Sequence, residues 1–516
     1  VKVFPDQRKI VLPYRADVEN ILGTQAKRFT AGGSLYLAVP FDEDTVKFLR
    51  NMGLNPPGPI QYYYGWANGS PFDSQRVTAD LCTTNSRVYV LSEMGVGKTR
   101  AVLFAYDWLR SIGRVRSLLV VAPLSTLVGV WENEIFENFH HLTAAVLYGD
   151  KKRRQKILAQ PADIYIVNHD GVQVLHQDIW ARPDIDCVAI DELAVYRNSR
   201  SNRWKFLKPL VARASYAWGM TGSPTPNEPT DAYGQVKLLT PDRVGFSFKA
   251  FKDRTMRQLS PFKWVPRQEA NDIVLETMQP SIRFTRDQCF DLPPTTYSTR
   301  DIELDPRAAK LYKKMFDELA IQVRTSQITA ANEGVKLSKL LQLSAGFAYD
   351  EHGKGQYIGG AKRIREIVDV IEGGSGAKVI IFAPFRYYVE LLNGVFSKLY
   401  STAMIHGDVP KGQRDLIFAR FKSEASLRLL VAHPKTMSHG LTLTQADTII
   451  WALPTTSPET YEQANARITR SGQVNSTYIV HMQASKAEAH VYSRLRRKLK
   501  MQGALLDMFE ESTQGT

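Results

Sequence analysis

Residues Leu91–Arg100, Leu-Ser-Glu-Met-Gly-Val-Gly-Lys-Thr-Arg, hold the side chains of this chain best suited to phosphate chemistry. The apolar run Val88–Leu91 predicts a strand, and Thr99–Leu109 predicts a helix. Between them the loop Glu93, Met94, Gly95, Val96 and Gly97 lets the backbone approach phosphate oxygens. The helix start, Lys98 through Arg100, adds oriented N–H donors. Lys98 can reach the β- and γ-phosphates, and Thr99 can hold Mg²⁺. Asp191-Glu192 suits the same reaction, because it follows the apolar run Cys187–Ile190 at a strand end, where α/β sheets place ligand chemistry. Asp191 would hold Mg²⁺ through water, and Glu192 would orient and deprotonate the attacking water. The expected cofactors are a nucleoside triphosphate and Mg²⁺.

A third cluster lies far downstream. Pro458–Gly472 reads as one helix, with Thr456 and Glu459 as a capping box and Gly472 as the stop. On that helix Gln463, Arg467 and Arg470 share one stripe. Two guanidinium groups held rigidly can stabilise charge on a transferring phosphoryl group, an effect worth roughly 10³–10⁵ in rate. Gln75, upstream of the phosphate loop, can read an adenine edge through its amide.

The elements that must position these groups follow from pattern. Leu118–Ala122, Ile164–Val167, Cys187–Ile190 and Ala217–Met220 are short apolar runs separated by helical stretches, which predicts a parallel sheet covered by helices. The alternation returns at Val379–Phe382, Ala403–Ile405, Leu427–Ala432, Thr448–Trp451 and Tyr478–Val480, so two α/β lobes are expected. Residues 228–375 are less regular and rich in charged helix formers, with a flexible joint at 373–376. Residues 1–58 form a separate α+β module ending at Asn55-Pro-Pro-Gly58, with strands at Lys9–Leu12 and Ser34–Val39 and helices at Asp17–Ala26 and Asp42–Met52. The expected domains are 1–58, 59–290 (first lobe with a helical insertion) and 291–516 (linker, helical insertion and second lobe).

Composition narrows the function classes. A 516-residue chain that is 44% hydrophobic and 23% charged is globular and exceeds one core. No apolar run reaches the roughly 18 residues of a membrane span, and Val1-Lys-Val-Phe-Pro-Asp lacks a secretory core, so neither a membrane nor secretion is expected. Three widely spaced cysteines, Cys82, Cys187 and Cys289, argue against a zinc site or a disulfide framework. A formal charge of +14 favours a polyanion partner.

The order of these motifs resembles the Swi/Snf-type ATPases of the second helicase superfamily. Glu-Met-Gly-Val-Gly-Lys-Thr matches that family's phosphate loop, although Ser92 replaces its usual first glycine, and Gln-x-x-x-Arg-x-x-Arg-x-Gly-Gln matches its arginine-finger motif. Asp191-Glu-Leu-Ala194 resembles the Asp-Glu-Ala-His tetrad, with Ala194 removing a polar link toward the DNA-coupling motif. The resemblance implies two tandem RecA-like lobes that clamp one triphosphate, with Arg467 and Arg470 completing a site begun by Lys98. It also implies DNA contacts at Ser125 and Thr126, at Asn168 and His169, at Thr221, Gly222 and Ser223 (in Met220–Asn227), at His406 and Gly407, and at Thr442. Gly440 is implied to join DNA contact to the nucleotide.

Members of this family use ATP to track along double-stranded DNA. Residues 1–55 resemble the HARP module of annealing helicases, which implies action on branched or forked DNA in replication, recombination or repair. The basic segment Arg494–Lys500 is expected in a terminal helix. The expected protein is a monomeric motor in a bacterial or phage setting, cytoplasmic or nucleoid-associated. The alternatives are a motor subunit of a restriction or defence complex, a strand-separating helicase and a degenerate ATPase acting as a nucleic-acid scaffold.

Overall fold

The computed structural model describes residues 1–516 except 67–70, 246, 261–262, 291, 325–329, 375, 438–441, 471 and 497–516. The chain divides after Cys289 into two compact units.

The first unit opens with a four-stranded antiparallel sheet: β1 (Lys2–Phe4), β2 (Lys9–Pro13), β3 (Lys27–Ala31) and β4 (Ser34–Pro40), in the order β1-β2-β4-β3. Ile10, Leu12, Leu37 and Val39 alternate onto one face, where Val18, Val46 and Leu49 of helices Ala16–Leu22 and Glu43–Asn51 cover them. The second helix starts where Asp42 accepts the Thr45 N–H, as its sequence predicts. The pattern missed β1 and β3, each too short or too polar to show as an apolar run.

This module is fastened to the helices that come after it in the chain. Trp108 Nε1 donates to Glu43 at 2.7 Å, and Arg50 binds Asp80, Thr84 and the Pro56 carbonyl. At the predicted breaker, the Gly58 N–H donates to Asp80, whose carboxylate fills the space a Cβ would need.

The main sheet of this unit has seven strands, all parallel. They are β5 (Arg87–Val90), β6 (Ser117–Ala122), β7 (Ala144–Val146), β8 (Ile164–Asn168), β9 (Ile185–Asp191), β10 (Tyr216–Met220) and β13 (Ser281–Ile282), ordered β13-β5-β10-β9-β6-β8-β7. A small antiparallel pair, β11 (Met256–Ser260) and β12 (Lys263–Pro266), lies outside it. The strands read as continuous apolar runs because both faces are buried. Tyr89, Leu119, Val121 and Val188 enter one core, and Val88, Val90, Leu118 and Val120 enter the other.

The second unit repeats the plan in six parallel strands: β14 (Thr295–Asp301), β17 (Lys378–Phe382), β18 (Thr402–Ile405), β19 (Leu429–Ala432), β20 (Ala446–Trp451) and β21 (Thr477–Gln483), in the order β14-β21-β20-β17-β19-β18. A hairpin, β15 (Phe347–Tyr349) with β16 (Gly355–Tyr357), stands apart. Again alternate residues part, Val379 and Ile381 to one side, Ile380 and Phe382 to the other. The sequence shows no strand at β14, since Thr-Thr-Tyr-Ser-Thr-Arg-Asp is an exposed edge with no apolar run. A buried ion pair, Arg363–Glu488 at 2.6 Å, ties helix Ala361–Glu372 to helical residues 486–496, and Arg363 also donates to the Ala452 and Ser344 carbonyls. Part of the basic segment after Arg494 lies outside the described residues. Among those that are described, no helix is long and apolar enough to cross a membrane.

Candidate functional site

Three strand ends converge in the first unit. Because β10 lies between β5 and β9, the loops after all three open at the same edge of the sheet. After β5 the phosphate loop turns through Gly95 and Gly97, with φ of +88° and +79°, and leads into helix Lys98–Ser111. Gly97 is required twice over, since a Cβ there would also collide with the Gln75 amide. The Lys98 ammonium folds back over the loop and donates to the Ser92 and Glu93 carbonyls at 2.7 and 2.8 Å. Thr99 follows it at the helix start, partly exposed. Gln75 is buried, donating to the Gly97 carbonyl at 3.2 Å and accepting the Phe72 N–H at 3.0 Å. It thus braces the loop, and each end of its amide keeps one further bonding position.

After β9, Asp191 accepts from Trp131 Nε1 at 3.0 Å. Burial pushes its carboxyl above the usual carboxylate range, while the Trp131 N–H and the Lys98 charge pull it down. Glu192 sits at φ +60°, a left-handed conformation that a non-glycine residue adopts at a cost. That turn aims its carboxylate along the sheet edge to accept from the Thr221 hydroxyl at 2.9 Å, just after β10. Thr221 also takes the Ser223 N–H, and a Cβ on Gly222 would touch Met94 and the Ser92 carbonyl at 3.7 Å. The loop expected to contact DNA therefore lies against the phosphate loop. With Ala194 at the fourth tetrad position, Thr221–Glu192 is a direct polar link from carboxylate to that loop.

Glu93 does not turn toward this edge. Its carboxylate takes the Arg286 N–H and Nε at 3.1 and 3.2 Å, with Arg283 at 3.5 Å. The Leu91 and Glu93 N–H groups donate to the Ile282 and Phe284 carbonyls, so the loop's first half is zipped to the segment after β13. No local signal marks these arginines, which lie some 190 positions from their partner. Arg100, expected near nucleotide, is paired instead with Glu134.

The other expected contacts are scattered. Ser125 is exposed, whereas Thr126 is buried and donates to the Pro123 carbonyl. Asn168 accepts from Arg154 at 2.9 Å, and His169 is buried against Tyr196 at 3.1 Å. In the second unit His406 is buried 3.7 Å from Glu390, and Gly407 beside it is exposed. Gly440 lies outside the described residues.

The arginine segment departs from the single helix predicted. Helix Pro458–Asn465 is capped by Ser457, not Thr456, and ends seven residues short of Gly472. Glu459 serves Gln463 Nε2 rather than a capping box. Past the helix the chain is held by other partners: Asn465 Oδ1 accepts from Trp451, the Gln463 carbonyl accepts from Arg467 Nε, and Gln473 donates to the Ile468 and Ala446 carbonyls. Arg467 and Arg470 therefore stand on a turn and not on a helical stripe. Arg467 is buried, and Arg470 is partly exposed and donates to Thr442 at 3.1 Å.

Two family descriptions match this chain: the SNF2-related domain over residues 82–348 and the helicase conserved C-terminal domain over residues 362–472. Protein p41 of Acyrthosiphon pisum secondary endosymbiont phage 1 is 25% identical over 452 residues, 82% of this chain and 94% of that protein. The DNA annealing helicase and endonuclease ZRANB3 of Mus musculus is 23% identical over 474 residues, 86% of this chain but 41% of that protein. This chain thus spans nearly all of the phage relative and under half of the mouse one. Among solved structures, the Sulfolobus solfataricus SWI2/SNF2 ATPase core in complex with dsDNA is 21% identical with a TM-score of 0.41, covering 87% of this chain and 96% of that one. The SNF2-related match spans more than half of the sequence, and the chain belongs to that family, as a DNA-dependent ATPase of helicase superfamily two.

Proposed function

We propose that this protein is an ATP-driven translocase on double-stranded DNA that remodels or anneals branched or forked DNA in replication, recombination or repair. The observation that carries the reading is the convergence of Lys98, Asp191, Glu192 and Thr221 at one sheet edge, where the Thr221 hydroxyl donates to Glu192 beside the phosphate loop. The residues fit a Mg²⁺-bound triphosphate: a flexible cation now resting on loop carbonyls, a glycine where no Cβ fits, and a carboxyl whose ionisation the neighbouring cation favours. Bound Mg²⁺ would supply charge neutralisation between the β- and γ-phosphates, held by Thr99 and Asp191.

Lys98 exchanges its loop carbonyls for phosphate oxygens, and the N–H groups of residues 95–99 take the rest. Glu192 accepts the proton of the attacking water, with Thr221 fixing its direction. Arg467 and Arg470 supply the cations that stabilise the transferring group. Ser125, Asn168, Gly407 and Thr442, none of them buried, are the contacts offered to DNA phosphates, which set register without reading bases. A setting inside a phage-infected bacterial cell suits this activity and the phage relative.

Phosphate release in the presence of single-stranded, duplex and forked DNA at fixed salt tests the proposal. Duplex should stimulate more than single strands, and forks more than linear duplex. Equal stimulation by fork and duplex would remove branch specificity, and a preference for RNA would overturn the substrate class. No stimulation by any nucleic acid would leave a binding scaffold as the better account.

A further inference from the structure

Among the described residues, the N-terminal sheet is covered by helices on one face, and the side chains of its other face are left unburied. Pairing registers place its residues in rows. Phe4, Lys9 and Pro40 form one row, Lys2, Val11, Ala38 and Lys27 the next, and Pro13, Tyr36 and Phe29 the third. None of these side chains is buried, whereas the residues that alternate with them on β2 and β4 fill the module's core.

The third row ends in an aromatic pair. Phe29 and Tyr36 stack with centroids 5.7 Å apart and planes 25° off parallel, and Phe29 is 39% exposed on the edge strand. Aromatic side chains do not hold such positions to pack a core that lies on the opposite side of the sheet.

Charge identifies the occupant. Lys2, Lys9 and Lys27 are exposed on this face, and no carboxylate stands on its strands. Of the module's acids, Asp17 is paired with Arg15, Glu19 with Arg28, Glu43 with Trp108 and Asp44 with Arg114, Asp42 caps its helix, and Asp6 stands in the turn between β1 and β2. Phe29 is the one large apolar side chain of the face that is exposed, too little for an apolar protein interface. Lysines flanking stacked rings on an open sheet suit a chain of phosphates whose bases are unpaired, since every base can stack and paired bases cannot reach the rings.

The geometry points to a single-stranded nucleic-acid platform on the open face of β1–β4, with Phe29 and Tyr36 stacking bases and Lys2, Lys9 and Lys27 holding phosphates. This rests on the reading that the protein acts on DNA, and it names the part of a branched substrate that the module grips. The hydrogen bonds from Trp108 to Glu43 and from Arg50 to Asp80 make the platform continuous with the ATP-binding unit.

The test uses the full chain without nucleotide and a fluorescent oligo(dT) of about 12 residues, with oligo(rU) as a second arm to separate DNA from RNA. The double variant Phe29→Ala/Tyr36→Ala should weaken oligo(dT) binding by about 10-fold or more. Lys2→Gln/Lys9→Gln/Lys27→Gln should flatten the slope of log affinity against log salt by about 2. A 2-aminopurine base in the oligonucleotide should be quenched by the wild type and by Phe29→Tyr/Tyr36→Phe, but not by the alanine pair. ATP turnover on saturating linear duplex should be unchanged in every variant. The platform is overturned if the alanine pair binds oligo(dT) as the wild type does, or if quenching persists in it. Failure of duplex to stimulate ATP turnover in the wild type would instead strike the proposed motor function. Tighter binding of oligo(rU) would assign the face to RNA.

Discussion

The phosphate loop of the first unit and the Arg467–Arg470 turn of the second are both short runs of charged and small residues, yet they are shaped by different forces. The loop's bend is set by Gly95 and Gly97 between a strand and a helix that each form from their own pattern, with Gln75 and the segment after β13 bracing it. The arginine turn is shaped from outside. Past Asn465 the chain is held by distant groups: Trp451 on β20 donates to the Asn465 side chain, the Leu443 N–H donates to the Arg467 carbonyl, and Gln473 donates to the Ile468 and Ala446 carbonyls. A motif can thus fix which residues do chemistry while leaving open the backbone that carries them.

Substitutions sharpen the contrast. The largest effect belongs to the loop: Lys98→Ala should abolish steady-state phosphate release. Glu192→Gln should reduce it by about 10²–10⁴-fold while fluorescent nucleotide still binds. Glu192→Gln should leave the melting temperature unchanged, because the amide oxygen still accepts from Thr221; early melting of that variant would show that the carboxylate charge itself holds the turn.

Next come the arginines, each expected to cost roughly 10³ in kcat when changed to alanine. Arg467→Ala should in addition destabilise by about 1–3 kcal/mol, since it strips the Gln463 carbonyl of a buried donor. Arg470→Ala, at a partly exposed position, should not. Equal melting temperatures for the two would break the distinction between a residue that shapes the turn and one that only uses it.

Asp191→Asn should lose hydrolysis yet stabilise the nucleotide-free protein. Burial raises the folded carboxyl, so the folded state keeps this proton to higher pH than the unfolded chain does. That contribution to stability is full below the ordinary carboxylate range and fades as pH rises through the raised value, so removing the charge recovers it at neutral pH. Thermal melts of wild type and variant between pH 4 and 8 should converge on the acid side.

The smallest effect concerns the second unit. Burial, aided by Arg496, lowers His481 to about 4 from 6.5 while its ring pairs with the Tyr461 hydroxyl at 2.7 Å. Its contribution to stability is present above about 6.5 and is lost as pH falls toward about 4. His481→Gln should flatten that acid-side loss in a melt series, and an unchanged slope would assign it elsewhere.

Much of the plan was legible because apolar periodicity and burial report the same physics. Every strand read as an apolar run, from Val88–Leu91 to Tyr478–Val480, has a counterpart within about three residues. The strands that escaped, β1, β3, β7, β13 and β14 together with the pairs β11–β12 and β15–β16, are all sheet edges, short or without an apolar run. Among the site residues, Lys98, Asp191 and Glu192 could be placed at strand ends from pattern alone. The Glu93 link to Arg283 and Arg286 could not, because nothing near Glu93 distinguishes an acid that meets phosphate from one that braces a distant strand.

The sequence alone settled residue types and their order: a glycine-lysine loop after a buried strand, an acidic pair after another, and two arginines near a third. Those outcomes depend on hydrophobic periodicity and on side-chain chemistry, both written locally. Tertiary structure decided the partners, namely that Glu192 turns left-handed toward Thr221, that Gln75 occupies the space beside Gly97, and that the helix before Arg467 ends early. Each is a competition between hydrogen bonds that the chain could make nearby and ones offered by segments far along it, and only the packed fold determines which prevails.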